Sequence, residues 1–197
     1  MAFLGIDVGT SSTKSIIIEG DGRVRGSGSR PVPLLTPQPG WTEQDPQAWW
    51  EATVGSIADA LADARLSGAD IRAVGLSGQM HGSVFLDQRA VLSMGTDAPA
   101  LRPALLWNDQ RTAGHLEEIN RAAGGKENLV RMVGNAAMTG FQLPKILWLR
   151  RHEPQHFALL AAVLLPKDYI RFRLSGDLAT DTGDASGTLL FDVQHRA

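Results

Sequence analysis

A chain of 197 residues, 43% hydrophobic and 20% charged, has the make-up of an ordinary globular protein, large enough for one domain with a full core. Its net charge of −2 argues against a nucleic-acid surface, which would carry a basic excess. The lack of cysteine removes a disulfide framework, a thiolate nucleophile and any cysteine-based zinc site. In chain order, residues 3–8 form an apolar run broken only by Asp7, and residues 15–18 form a second. Both are short and rich in β-branched residues, so strand–turn–strand is expected rather than strand–helix. Glu19-Gly20-Asp21-Gly22 is a turn of the Asp-Gly type, and residues 23–33 are a polar strand candidate, which makes an antiparallel meander. Residues 36–41 read as an extended loop. Glu43-Gln44-Asp45-Pro46 starts a helix, with Asp45 capping free N–H groups and Pro46 at the first helical position. Trp50, Val54, Ile57, Ala58 and Leu61 follow at helical spacing until Ser67-Gly68, and core packing is the expectation for at least one of Trp49 and Trp50.

Residues 71–76 predict a fourth strand that runs into Ser77-Gly78-Gln79-Met80-His81-Gly82. Residues 83–86 are apolar again, Asp87-Gln88-Arg89 reads as a turn, and residues 105–107 as a further short strand. A helix capped by Thr112 or Asp109 runs to Ala123 and closes at Gly124-Gly125. Residues 143–151 predict another helix, stopped before Pro154; residues 157–165 suit a buried helix end or a strand. Pro166 opens a helix ended by Ser175-Gly176, and residues 181–188 are small and polar, as in a loop lining a cleft. The longest apolar stretch, residues 157–166, is too short to cross a membrane, and the N-terminus lacks a charged leader. A cytoplasmic protein without membrane or nucleic-acid partners is expected. Hairpin strands followed by strands alternating with helices give an α/β domain with a mixed sheet flanked by helices.

The chemistry concentrates at strand ends. Gly9 lets backbone N–H groups approach an anion, the hydroxyls of Thr10, Ser11, Ser12 and Thr13 add donors, and Lys14 adds charge. The turn is not the usual phosphate loop, which feeds a helix and needs G-x-x-x-x-G-K-[ST]. A carboxylate beside bound phosphate would repel it unless a cation lay between, so Asp7 implies Mg²⁺. Read alone, a polar hairpin turn with one exposed aspartate is the commoner outcome for so short a motif. Asp7, the Gln79-Met80-His81 loop and Asn108-Asp109 all follow strands, however, and ligands of such sheets sit outside the carboxyl ends of strands. One shared cleft is therefore expected. Asp109 is a candidate cleft carboxylate with helix capping as its alternative; Arg111, Asp181 and Asp184 are weaker candidates. Lys145 and Lys167, on or before helices, are expected to be solvated or to complement a helix dipole.

The segments Gly5 to Lys14, Gly40 to Pro46, Leu76 to Gly82, Leu106 to Arg111, Leu165 to Tyr169 and Thr182 to Thr188 together resemble the FGGY carbohydrate kinase family. The resemblance implies an actin-like ATPase, ribonuclease-H-like fold, with residues 1–197 as the N-terminal, sugar- and phosphate-binding domain. It also implies a nucleotide-binding second domain outside this chain. The implied reaction is transfer of the ATP γ-phosphate to the terminal hydroxyl of D-xylulose, giving D-xylulose 5-phosphate. Asp7 would sit by that phosphate and its Mg²⁺, and Gly9, Thr10, Ser11, Ser12, Thr13 and Lys14 would face the phosphates. Met80 and His81, with Gln79 beside them, would contact the sugar; this Gly-Gln-Met-His-Gly loop resembles members acting on xylulose rather than on glycerol. The general-base aspartate would lie beyond Ala197, so the chain alone is expected to be inactive. The alternatives are a sister kinase for ribulose, gluconate or glycerol, a non-catalytic sugar- or nucleotide-responsive module, and an actin-like ATPase. Should the domain's last elements also lie beyond residue 197, exposed apolar surface would favour self-association, with a homodimer as the candidate form.

Overall fold

The computed structural model describes residues 1–196. The meander forms as expected from β1 (Ala2–Val8), β2 (Ser12–Glu19) and β3 (Val24–Pro31), paired antiparallel. After the two-residue β4 (Glu43–Gln44) and helix α1 (Pro46–Ala64), the chain returns as β5 (Ile71–Gly78), which pairs parallel with β1. The sheet order is β3-β2-β1-β5, so the sheet is mixed.

Strand alternation gives this sheet two unlike faces. Leu4, Ile6, Val8, Thr13, Ser15 and Ile17 are buried beneath α1. Asp7, Lys14 and Ile16 are exposed on the opposite face. The buried side of α1 is made of Trp49, Ala52, Thr53, Ser56, Ala60 and Ala64. This differs from the expected apolar stripe, in which Val54 is in fact exposed. The reason is close packing on glycine. A Cβ on Gly26 would lie 2.5 Å from the Ala60 carbonyl, and one on Gly28 would collide with the Ser56 carbonyl. Small residues therefore face the sheet, and Trp49 fills the end of the layer, fully buried.

Beyond β5 the chain builds β6 (Val84–Asp87), α2 (Gln88–Leu92) and β7 (Ala104–Leu105). Residues 87–89, expected as a turn, instead start α2, with the Asp87 carboxylate accepting from the Ala90 N–H at 2.7 Å. Glu43-Gln44, expected to begin the helix, are extended and pair with β7. The helix prediction ending at Ala123 resolves into a single 3₁₀ turn and α3 (Leu116–Ala122), followed by α4 (Lys126–Val133), which the sequence reading did not identify. Next come α5 (Gln142–His152), α6 (Pro154–Leu159), β8 (Leu160–Leu164), α7 (Pro166–Ser175) and α8 (Thr182–Ala185). The apolar run 157–165 is thus the end of one helix and a strand, β8, paired antiparallel with β6. Ile119, Leu129, Val133, Phe141 and Leu189 form a separate small core under α3 and α4.

Candidate functional site

Because β1 and β5 are parallel neighbours, their carboxyl ends lie side by side. Asp7 is opposite Ser77 across one pair and Lys14 across the other. Gln79 then continues the pairing, its N–H donating to the Val8 carbonyl at 2.8 Å. The β1–β2 turn and the loop after β5 are thereby joined, as the sequence predicted. The turn itself closes through Gly9 N–H to the Ser12 carbonyl at 3.1 Å. Asp7, Lys14 and Ser77 line an open trough of ≈ 730 Å³ on the uncovered sheet face. Thr13 departs from the expected phosphate-facing set. It points to the other face, fully buried, and only its neighbours Ser12 and Lys14 share the side of Asp7.

Gln79 is the knot between turn and loop. Its amide nitrogen donates to Gln44 Oε1 at 2.8 Å, and its carbonyl accepts from the Thr10 hydroxyl at 3.2 Å. Gln44 in turn donates to the Thr10 backbone carbonyl at 2.7 Å and accepts from the Trp49 indole at 3.0 Å. The half-exposed Trp107 donates its indole N–H to Thr10 Oγ1 at 3.2 Å. A buried amide held at both its nitrogen and its oxygen is a joint between segments before it is a ligand group. Gln79 therefore faces protein, while Met80 stands exposed beside it.

His81 is the next residue, and it is caged. Its φ of +62° is unusual for a non-glycine residue, and the Gly82 N–H closes a three-residue turn on the Met80 carbonyl at 2.8 Å. The imidazole meets the Phe141 ring edge-on at 4.6 Å. On the other side Gly187 abuts it so closely that a Cβ there would lie 2.6 Å from Nδ1. Burial, then the charge of Lys145, holds the His81 pKa below its ordinary value. The loop 181–188, expected to line a cleft, thus walls the histidine.

Asp109 lies fully buried, and its oxygens accept from Thr42 N–H at 2.7 Å and from the Arg111 guanidinium at 2.8 to 3.0 Å. Arg111 also pairs with Glu43 at 2.7 Å and stacks on Trp41 at 3.8 Å; Glu43 in turn pairs with Arg102. These contacts account for the Gly40-Trp41-Thr42-Glu43-Gln44-Asp45 segment, which clamps residues 102–111 to the sheet end. Asp109 occupies a scaffolding position, not an open cleft, and it caps no helix.

The two lysines differ from their expected solvated state. Lys145 is fully buried, donating to the His81 and Gly140 carbonyls at 2.6 Å each. Burial pushes its pKa down to about 7, an effect Asp109 opposes. Lys167 contacts Asp168 at 2.6 Å, Asp181 at 2.8 Å and Asp184 at 3.0 Å. Burial lowers its pKa, but these three carboxylates outweigh that and raise it well above the usual lysine value. Among the described residues no cluster of three metal-ligating side chains occurs. A single exposed carboxylate, Asp7, suits Mg²⁺, which takes one or two protein carboxylates and completes its shell with phosphate oxygens and water.

The sequence model described as the FGGY family of carbohydrate kinases, N-terminal domain, matches residues 2–197. The chain belongs to this family. Within the family, it is 41% identical over 194 residues to the xylulose kinase of Escherichia coli and 38% identical over 193 residues to that of Bacillus subtilis. Both alignments cover 98% of this chain, which spans about 37% of the length of either relative. Among solved structures, one described as a xyloylose kinase from Brucella ovis aligns with TM-score 0.90 at 35% identity, over 100% of this chain and 39% of that one. A gluconate kinase from Lactobacillus acidophilus aligns with TM-score 0.85 at 27% identity, over 98% and 37% of the two chains. The fold is that of the FGGY kinases, of the actin-like ATPase type. No helix among the described residues is long and apolar enough to cross a membrane.

Trp107, Gln44 and Gly187 are site residues that sequence reasoning passed over. Trp107 directly precedes the singled-out Asn108-Asp109, and Gly187 lies inside a segment quoted for the family resemblance. Gln44 was assigned to a helix start, which hid its role.

Proposed function

We propose that this chain is the sugar- and phosphate-binding half of a kinase that moves the γ-phosphate of ATP to the terminal hydroxyl of D-xylulose. One observation carries the reading: parallel pairing of β1 with β5 sets the Asp7 turn and the Met80-His81 loop at one sheet edge, cross-linked by Gln79 to Thr10. The xylulose kinase relatives support the choice of sugar.

In this reading Asp7 holds Mg²⁺, which when bound neutralises charge on the transferring phosphate. Ser11, Ser12, Lys14 and the backbone at Gly9 face phosphate oxygens. His81, fixed between Phe141 and Gly187, hydrogen-bonds a sugar hydroxyl, while Met80 supplies an adaptable apolar wall. The base that takes the hydroxyl proton and the surface that clamps adenosine belong to a second domain outside these residues. The protein acts in the cytoplasm, where ATP is supplied.

The test is a full-length protein offered ATP with D-xylulose, D-ribulose, gluconate and glycerol. Preference for D-xylulose is the expected result; preference for another acceptor moves the protein to a sister kinase. The 197-residue chain alone is expected to give no phosphorylation above background, and robust turnover by it would overturn the assignment of the base.

A further inference from the structure

We propose that Lys145 is a positioning residue for the sugar-binding loop, acting through the backbone carbonyl of His81 rather than on any ligand. The inference rests on the reading of that loop given above. Its starting point is the turn Met80-His81-Gly82, whose central residue has φ +62°. A non-glycine residue holds such a conformation only where its surroundings over-determine it. Part of that constraint comes from the ring's cage, Phe141 on one side and Gly187 on the other.

The other part is Lys145. The turn directs the His81 carbonyl inward, where Lys145 Nζ meets it at 2.6 Å. The same nitrogen donates to the Gly140 carbonyl at 2.6 Å. Gly140 packs its own backbone on the Trp107 carbonyl, so tightly that a Cβ could not be placed there. One amine thus ties the His81 turn to the loop before α5, and Gly140 of that loop packs in turn on the Trp107 backbone after β7. Gly82 adds a wall on the far side, since a Cβ there would lie 2.5 Å from Pro166 Cγ.

A fully buried lysine is a poor way to fill a core, because its charged form loses hydration and its stem loses rotamer freedom. Burial accordingly draws its pKa down to about 7. An apolar side chain of like length would serve packing better. What only the amine supplies is a pair of directed hydrogen bonds, and both go to loop carbonyls. The outcome is a His81 ring whose position is set from behind, through its own backbone.

The test uses Lys145→Met in the full-length kinase, since methionine keeps the stem and removes the donors. The KM for D-xylulose is expected to rise ~10-fold while the KM for ATP stays within about 2-fold. Amide exchange at residues 79–82 is expected to quicken ~10-fold, with β1 and β2 unchanged. Equal rises in both KM values, or unchanged exchange in the loop, would overturn the proposal. A variant that does not fold is bypassed by Lys145→Cys in the 197-residue chain, which has no other cysteine. Aminoethylated in denaturant and refolded, it regains a lysine-length amine; slow exchange at residues 79–82 should return with the amine and be absent without it. Slow exchange in both forms, or in neither, counts against the proposal. Should the full-length protein prefer another acceptor, the substrate reading fails, and the exchange measurements still decide the role of Lys145.

Discussion

The β1–β2 turn and the loop after β5 end neighbouring strands and are built in opposite ways. The turn is a plain hairpin whose charged groups, Asp7 and Lys14, stand exposed on the open sheet face. The loop carries a left-handed histidine held by a buried lysine, an aromatic edge and a glycine backbone. The difference follows from what each would bind. A phosphate and its cation are recognised by charge, which acts over distance and tolerates mobile side chains. A sugar is told from its isomers by hydroxyl direction, which requires donors fixed in place before it arrives.

The sharpest way to break this comparison is Asp7→Ala in the full-length kinase. If Asp7 holds the cation beside the transferring phosphate as proposed, its loss is expected to lower kcat ~10³-fold. The dissociation constant for D-xylulose should stay within about 3-fold. A large loss of sugar affinity, measured by titration calorimetry, would show that turn and loop are not separable. The reciprocal change is His81→Ala. It should raise the KM for D-xylulose by ~10- to 100-fold, the worth of one or two buried hydrogen bonds. An unchanged KM would remove His81 from the sugar site.

Gly187→Ala disturbs the cage of His81 while leaving every candidate ligand residue in the sequence unchanged. Its new methyl group would press on His81 Cε1 and Nδ1, so the ring or the 181–188 segment must shift. Overpacking of this kind is expected to cost ~1–3 kcal/mol of stability, together with weaker sugar binding. Urea unfolding and KM measured on the same variant check both; a change in neither would mean the ring is free to move.

How far the sequence foretold this site depends on the kind of contact. The meander and the mixed sheet were readable, because alternation and turn chemistry are local signals, and the meeting of Asp7 with the Gln79 loop followed from both lying after strands. Thr13 was misread for want of one step of parity: counting alternation from Asp7 and Lys14 puts its side chain on the buried face. Asp109 and the two lysines were misread for a deeper reason. Whether a carboxylate accepts from the Thr42 N–H, or an amine donates to the His81 carbonyl, depends on contacts 67 and 64 residues apart. No local pattern encodes these, and intrinsic propensity favours the exposed reading for any charged residue.

Lys145 also makes a prediction in pH, smaller than those above and independent of ligand. In the unfolded chain its amine titrates near the ordinary lysine value of about 10.4, and in the folded chain at about 7. Between these values the unfolded state binds more protons, so this group makes stability rise with pH and leaves the low-pH side as the penalised one. The groups that face it are Asp109, Arg111 and His81. His81, whose pKa is lowered, is already neutral in this window. The unfolding free energy of the wild type relative to Lys145→Met, from urea titration, should therefore climb between pH 7.5 and about 9.5, by at most about 1.4 kcal/mol per pH unit. A flat difference would mean that the lysine keeps its proton on folding. The two hydrogen bonds to the His81 and Gly140 carbonyls would then come from an ammonium, whose charge strengthens them and which Asp109 favours.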